Sequence, residues 1–174
     1  MLFLLRVRRP PRCNHCPSTT LFRSKTIDND LVLTDCSFVD QEADSGGALA
    51  IEDGGVLDDQ GSIYRNNLAT SSGGAIWASD GVVLKIEDGV FEQNRAEEAD
   101  GGALWLENLA VIKISDSEFS SNFAMMAGGA AWVDTVSDTV MLTDLSFEDN
   151  STDQGEGGAL VLLELAIEGS GLGF

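Results

Sequence analysis

Basic side chains are scarce in this chain: 10 lysines and arginines stand against 29 aspartates and glutamates in 174 residues, a formal charge of −19. That balance excludes an ordinary basic nucleic-acid binder and argues against an anionic membrane as partner. No apolar run reaches the roughly 18 residues that a helix needs to cross a bilayer. Three cysteines make no disulfide framework, and only Cys36 lies in the body of the chain. What is present is a core. An apolar share of 43%, with both aliphatic and aromatic residues, is too rich for an acidic disordered tail, and the length suits one domain.

The first two dozen residues differ from the rest. Residues 1–24 contain no acid but five arginines, Arg6, Arg8, Arg9, Arg12 and Arg23. The apolar start Met1-Leu2-Phe3-Leu4-Leu5 precedes the arginines, which reverses the charge order of a secretion signal, and it is shorter than the ~7–15 residues of an apolar signal core. Thr19-Thr20-Leu21-Phe22-Arg23-Ser24, with Arg9-Pro10-Pro11-Arg12 before it, resembles the translated end of a short-read sequencing adapter. Residues 1–24 are therefore read as a non-native or disordered leader, and 25–174 as the folded segment. Cys13-Asn14-His15-Cys16 has metal-like spacing, but zinc takes about four ligands and no second pair completes the set, so no metal site is assigned.

The body repeats one motif five times. Gly-Gly-Ala begins at Gly46, Gly73, Gly101, Gly128 and Gly157, at intervals of 27, 28, 27 and 29. A bulky apolar residue followed three positions on by an amide occurs as Phe38/Gln41, Ile63/Asn66, Phe91/Asn94, Phe119/Asn122 and Phe147/Asn150, and the last four copies are 28 apart. Three residues before each bulky one stand Asp35, Gln60, Asp88, Asp116 and Asp144. Three columns sharing one period point to a repeat architecture.

Inside each repeat the apolar rhythm is two, the rhythm of strands. Leu84 and Ile86 flank Lys85, Ile112 and Ile114 flank Lys113, and Leu31 and Leu33 flank Val32. After each Gly-Gly-Ala comes a second alternating run, with Leu104 and Leu106 expected inward and Ala103, Trp105 and Glu107 outward. Short strands repeated every 28 residues, with no helical segment, cannot bury their apolar edges alone. They can when copies stack, each strand pairing with its counterpart at ~4.8 Å per coil. The expected fold is all-β: a parallel β-helix, or solenoid, of about five coils of ~28 residues.

Each landmark then has a physical task. The pairs Gly73-Gly74, Gly101-Gly102, Gly128-Gly129 and Gly157-Gly158 admit positive φ and a close approach of coils. Asn66, Asn94, Asn122 and Asn150 are expected to stack as an amide ladder. Phe91, Phe119 and Phe147 are expected to stack as an aromatic ladder in the core.

Repeats built on Gly-Gly-Ala-Ile/Leu and Phe-x-x-Asn, here Gly101-Gly102-Ala103-Leu104 and Phe91-Glu92-Gln93-Asn94, resemble the polymorphic outer-membrane protein repeats of chlamydiae. The likeness covers about 35–163. It implies a right-handed β-helix in an extracellular or surface-displayed passenger, used for adhesion. The chain lacks a recognisable translocating barrel, Phe38/Gln41 and Ile63/Asn66 are imperfect copies, and the body starts and stops mid-pattern, so it reads as a fragment of a longer protein.

The candidate contact surface is Trp77, Trp105 and Trp132, at one offset in consecutive repeats: outward-facing, they would form an aromatic strip for a glycan or a cell-surface protein. The column Asp35, Asp88, Asp116 and Asp144 is read as turn-forming, with calcium as the one candidate cofactor. No residue is singled out as catalytic or cofactor-binding. The function expected is a non-catalytic structural and adhesive module. The alternative is a fragment of a polysaccharide lyase or glycoside hydrolase of the pectin-lyase-like β-helix class.

Overall fold

A computed structural model describes residues 23–25, 30–155 and 157–165 of the protein. Arg23–Lys25 is described as backbone alone; the Cys13–Cys16 motif, most of the leader and the Gly-rich end 169–174 lie outside the described residues.

The described residues form parallel sheets of nine, five and five strands, without a helix, stacked as a β-solenoid of about five turns. Each turn runs through four short segments. In the third turn these are Ile76–Ser79, Val83–Glu87, Val90–Glu92 and Arg95–Ala96. The first two belong to the large sheet; the others build the two five-stranded sheets. Every pairing joins a segment to its counterpart one turn away: Leu84 lies opposite Leu57 and Ile112, and Phe91 opposite Tyr64 and Phe119. In the fourth and fifth turns the first two segments fuse into Leu104–Ser115 and Ala131–Thr143, with one register shift between Leu109 and Val111.

Corners are made by residues that tolerate the left-handed backbone region. Asp35, Gly61, Asp88, Asp116 and Asp144 form one such column, with φ of 50, 71, 54, 51 and 51°. Asp40, Asn66, Gln93, Ser121 and Asp149 form another, at 53–56°. Aspartate and asparagine bear this conformation better than branched residues do, which explains why acids and amides recur at the repeat's corners.

The alternation seen in the sequence sets the interior. Leu84, Leu104, Leu106, Ile112 and Phe91 are all fully buried. One assignment changes: Ala103, expected outward, is buried together with Ala48, Ala75 and Ala130, because the chain is still rounding the corner after the glycine pair. A fourth segment of two residues, with Ala69, Ala96 and Ala124 inward, is an element that the sequence reading lacked.

The second coil is also in a different frame from the one its sequence suggests. Tyr64, not Ile63, lies opposite Phe38 and Phe91. The amide of that coil is accordingly Asn67, not Asn66, and Gly61 rather than Gln60 takes the place of the corner aspartate. Ile63 is half-buried, beside the fully buried Tyr64 ring.

Candidate functional site

The frame beneath the tryptophans is unusually well paired. In the amide column Asn67 Nδ2 donates to Asn94 Oδ1 at 2.9 Å, Asn94 Nδ2 to Asn122 Oδ1 at 3.0 Å, and Asn122 Nδ2 to Asn150 Oδ1 at 2.9 Å. Each Oδ1 also accepts the backbone N–H of the amide residue one coil earlier. The second proton of each amide goes to the carbonyl of the earlier coil's aromatic residue: Asn94 to Tyr64, Asn122 to Phe91 and Asn150 to Phe119. Asn66 has no part in this column. It sits on the exposed corner and donates to Asp40 Oδ1 at 2.6 Å.

Beside it runs a stack of five rings. Phe38, Tyr64, Phe91, Phe119 and Phe147 are spaced 4.9, 4.8, 4.7 and 5.1 Å between centroids and are tilted by 13° at most. The glycine pairs close the neighbouring corner. Gly101 has φ of +68°, and a Cβ on Gly102 would overlap the Gly129 carbonyl and the backbone of Phe123. Gly73-Gly74 and Gly128-Gly129 repeat this arrangement, whereas Gly157-Gly158 has a looser second position.

Directly after this corner stand the tryptophans. Trp77, Trp105 and Trp132 are register partners, all half-buried on the outer side of the large sheet. Their indoles lie parallel, 5.2 Å apart at 3° and 5.3 Å apart at 10°. A ring inserted between two of them would need two contacts of about 3.5–4 Å each, so no guest fits between the indoles. What the column offers is a ridge of indole edges and its two end faces. The end faces differ: Ala50 is opposite Trp77, and Val161 is opposite Trp132. On the Trp77 side the next side chain in the column is therefore a methyl group, with Arg23 on the rung beyond it. The same outer side carries Glu52, Ser79, Glu107 and Asp134, two residues further along each strand.

Acids occur elsewhere in two settings. Asp35, Asp88, Asp116 and Asp144 project at exposed corners, and Gly61 interrupts their column. Among the described residues no three acid, histidine or cysteine side chains gather as a metal cluster would require. Among the described residues Asp59 is the exception to outward placement. It is 1% exposed, in the inward column of Leu33, Ile86 and Ile114, and it accepts hydrogen bonds from Tyr64 Oη at 2.7 Å and from Ser62 Oγ. Burial pushes its carboxyl above the ordinary carboxylate range, against the pull of the two hydroxyls. Burial, with the neighbouring Asp59, likewise pushes the Tyr64 phenol well up.

A family model for the Chlamydia polymorphic membrane protein (Chlamydia_PMP) repeat matches residues 65–79. That window holds the rung Asn67, the corner Gly73-Gly74-Ala75-Ile76 and Trp77, so this repeat sits on the parallel β-solenoid frame described above. No curated protein and no solved structure matches the chain.

Proposed function

We propose that this chain is a non-catalytic repeat module of an extracellular or surface-displayed protein, structural and adhesive in role, with the Trp77–Trp105–Trp132 column as its contact surface. The observation that carries the reading is that column: three large aromatic residues held half-exposed, in line, on a frame whose amides and rings are otherwise satisfied coil by coil. Exposed aromatic residues are enriched where proteins meet partners, and rigid placement lowers the entropy lost on contact. The match to a membrane-protein repeat over 65–79 supports display at a surface.

The geometry favours two kinds of contact. A partner protein can lie across the ridge of indole edges. A sugar ring can stack on the Trp77 end face above Ala50, taking the position a fourth indole would occupy; it cannot enter between the indoles. The test is binding of the chain to cell surfaces and to immobilised polysaccharides. Replacing Trp77, Trp105 and Trp132 together by alanine should lower binding at least about tenfold, a loss of 1.4 kcal/mol, while circular dichroism remains that of a β-solenoid. Ala50→Leu, which sets an aliphatic side chain against the Trp77 face as Val161 stands against Trp132, should remove the sugar component alone. Full binding by the triple variant would contradict the proposal.

A further inference from the structure

We propose that Asp59, Ser62 and Tyr64 form a proton-sensitive lock in the second coil, closed when Asp59 takes up a proton and loosened when it ionises. The motivation is a comparison of coils within the one chain. At the inward position of Asp59 the other coils carry Leu33, Ile86, Ile114 and Leu142; at that of Tyr64 they carry Phe38, Phe91, Phe119 and Phe147. Only the second coil has a polar pair here, and the two replacements face one another. Ser62 shows the same redirection. Its counterpart Ser117 accepts the Gly89 N–H and donates to the Ser115 carbonyl at 2.7 Å, whereas Ser62 accepts the Cys36 N–H at 3.2 Å and donates to Asp59.

The surroundings leave the carboxylate with neutral company. Asp59, Ser62 and Tyr64 are 1, 0 and 0% exposed. Leu33 lies on the rung before and Ile86 on the rung after, both buried. Cys36 is buried too. The nearest charge on its own strand is Asp58, which faces outward with Lys85 Nζ 3.9 Å away; among the described residues no ion pair reaches Asp59. Two hydroxyl donors soften the charge without neutralising it, so an ionised Asp59 is costly in this interior. When a proton from solvent binds Oδ1, the Ser62 contact can reverse: the acid donates to Ser62 Oγ, whose other lone pair keeps the Cys36 amide, the Ser62 proton turns to the Gln60 carbonyl as that of Ser117 turns to Ser115, and Tyr64 still donates to Oδ2.

The sign follows from burial. A carboxyl whose folded-state value lies above its unfolded value adds stability that is complete below about 3.8 and is lost as pH rises through the folded value. The second coil should therefore tighten in acid and open locally above that range. The general loss of charge repulsion on acidification acts on all coils alike, and Asp59→Asn separates the two effects because the amide retains acceptor and donor without ionising.

The experiment is a carbon-detected titration of the Asp59 carboxyl in the intact chain, with amide hydrogen exchange at Tyr64 and Asn67 corrected for intrinsic rates. The expected results are a carboxyl that titrates above the exposed aspartates, a local opening constant that falls at least about tenfold from neutral to acid pH, and less than about twofold change in Asp59→Asn. An Asp59 that titrates with the exposed aspartates, or an equal change in both proteins, would overturn the lock. Should Asp59→Asn fail to fold, the wild-type carboxyl titration decides alone.

Discussion

Asn94 Nδ2 donates to Asn122 Oδ1 at 3.0 Å across the wall between two coils, and the Asn94 backbone N–H shares that acceptor at 2.9 Å. One oxygen thus satisfies two donors that the corner would otherwise bury without partners. Asn122→Leu leaves both of these Asn94 donors unpaired and takes from the Phe91 carbonyl the side-chain amide it accepts beside its ladder bond. The cost should be about 3 kcal/mol or more, read as a fall in the denaturant midpoint. Glu98→Leu, in the exposed loop before the next glycine pair, should stay within about 0.5 kcal/mol of wild type.

The two aromatic columns should respond differently. Phe119 is 1% exposed and sandwiched between Phe91 and Phe147, so Phe119→Ala should cost about 3–5 kcal/mol. Trp105 is half-buried, and Trp105→Ala should cost about 1–2 kcal/mol. Near-ultraviolet circular dichroism distinguishes them further. The parallel indoles should give a coupled tryptophan signal that collapses in Trp105→Ala, the middle member, and survives a conservative Phe119→Leu change.

Removing half of the Asp59–Tyr64 pair should be worse than removing all of it. Asp59→Ile leaves the Tyr64 hydroxyl buried without its acceptor and should cost about 1–3 kcal/mol. Asp59→Ile combined with Tyr64→Phe restores what the third coil has in Ile86 and Phe91, and it should be near neutral or stabilising. A double-mutant cycle at neutral pH measures the difference. Additive costs would show that the two side chains do not act as a pair.

Calcium should do little. The corner aspartates are exposed, one per coil, and Gly61 breaks their column, so no site of convergent oxygens is built for a cation that takes 6–8 of them. Millimolar calcium should move the melting temperature by less than about 1 °C; with the unfolding entropy of a chain this size, a larger rise would mean binding worth several tenths of a kcal/mol.

The frame was legible in the sequence because its columns are chemical. Gly-Gly at Gly101-Gly102, Phe91 with Asn94, and the alternation around Lys85 and Lys113 each answer a constraint that recurs in every coil. The second coil misled for equally physical reasons. Asn66 and Asn67 are adjacent amides, Ile63 is as apolar as a core residue should be, and Tyr64 looks like a surface residue until its hydroxyl partner is seen. That partner was hidden because an acid in an alternating strand reads as outward, and nothing in the spacing says that Asp59 points in. The two-residue segments such as Arg95–Ala96 are too short to carry a rhythm. For the tryptophans, the period placed Trp77, Trp105 and Trp132 on one side of the sheet. That their faces cover each other is a matter of side-chain torsion, which spacing does not encode.

The claim on which the account rests is that matching side chains touch from coil to coil. It is tested most directly by side-chain amide NMR of the intact chain, following nuclear Overhauser contacts among the Asn67, Asn94, Asn122 and Asn150 NH2 groups. The account predicts an unbroken series of contacts, 67 to 94, 94 to 122 and 122 to 150, with each amide slow to exchange. Side-chain amides that exchange at solvent rates, or a series that runs through Asn66 in place of Asn67, would contradict it.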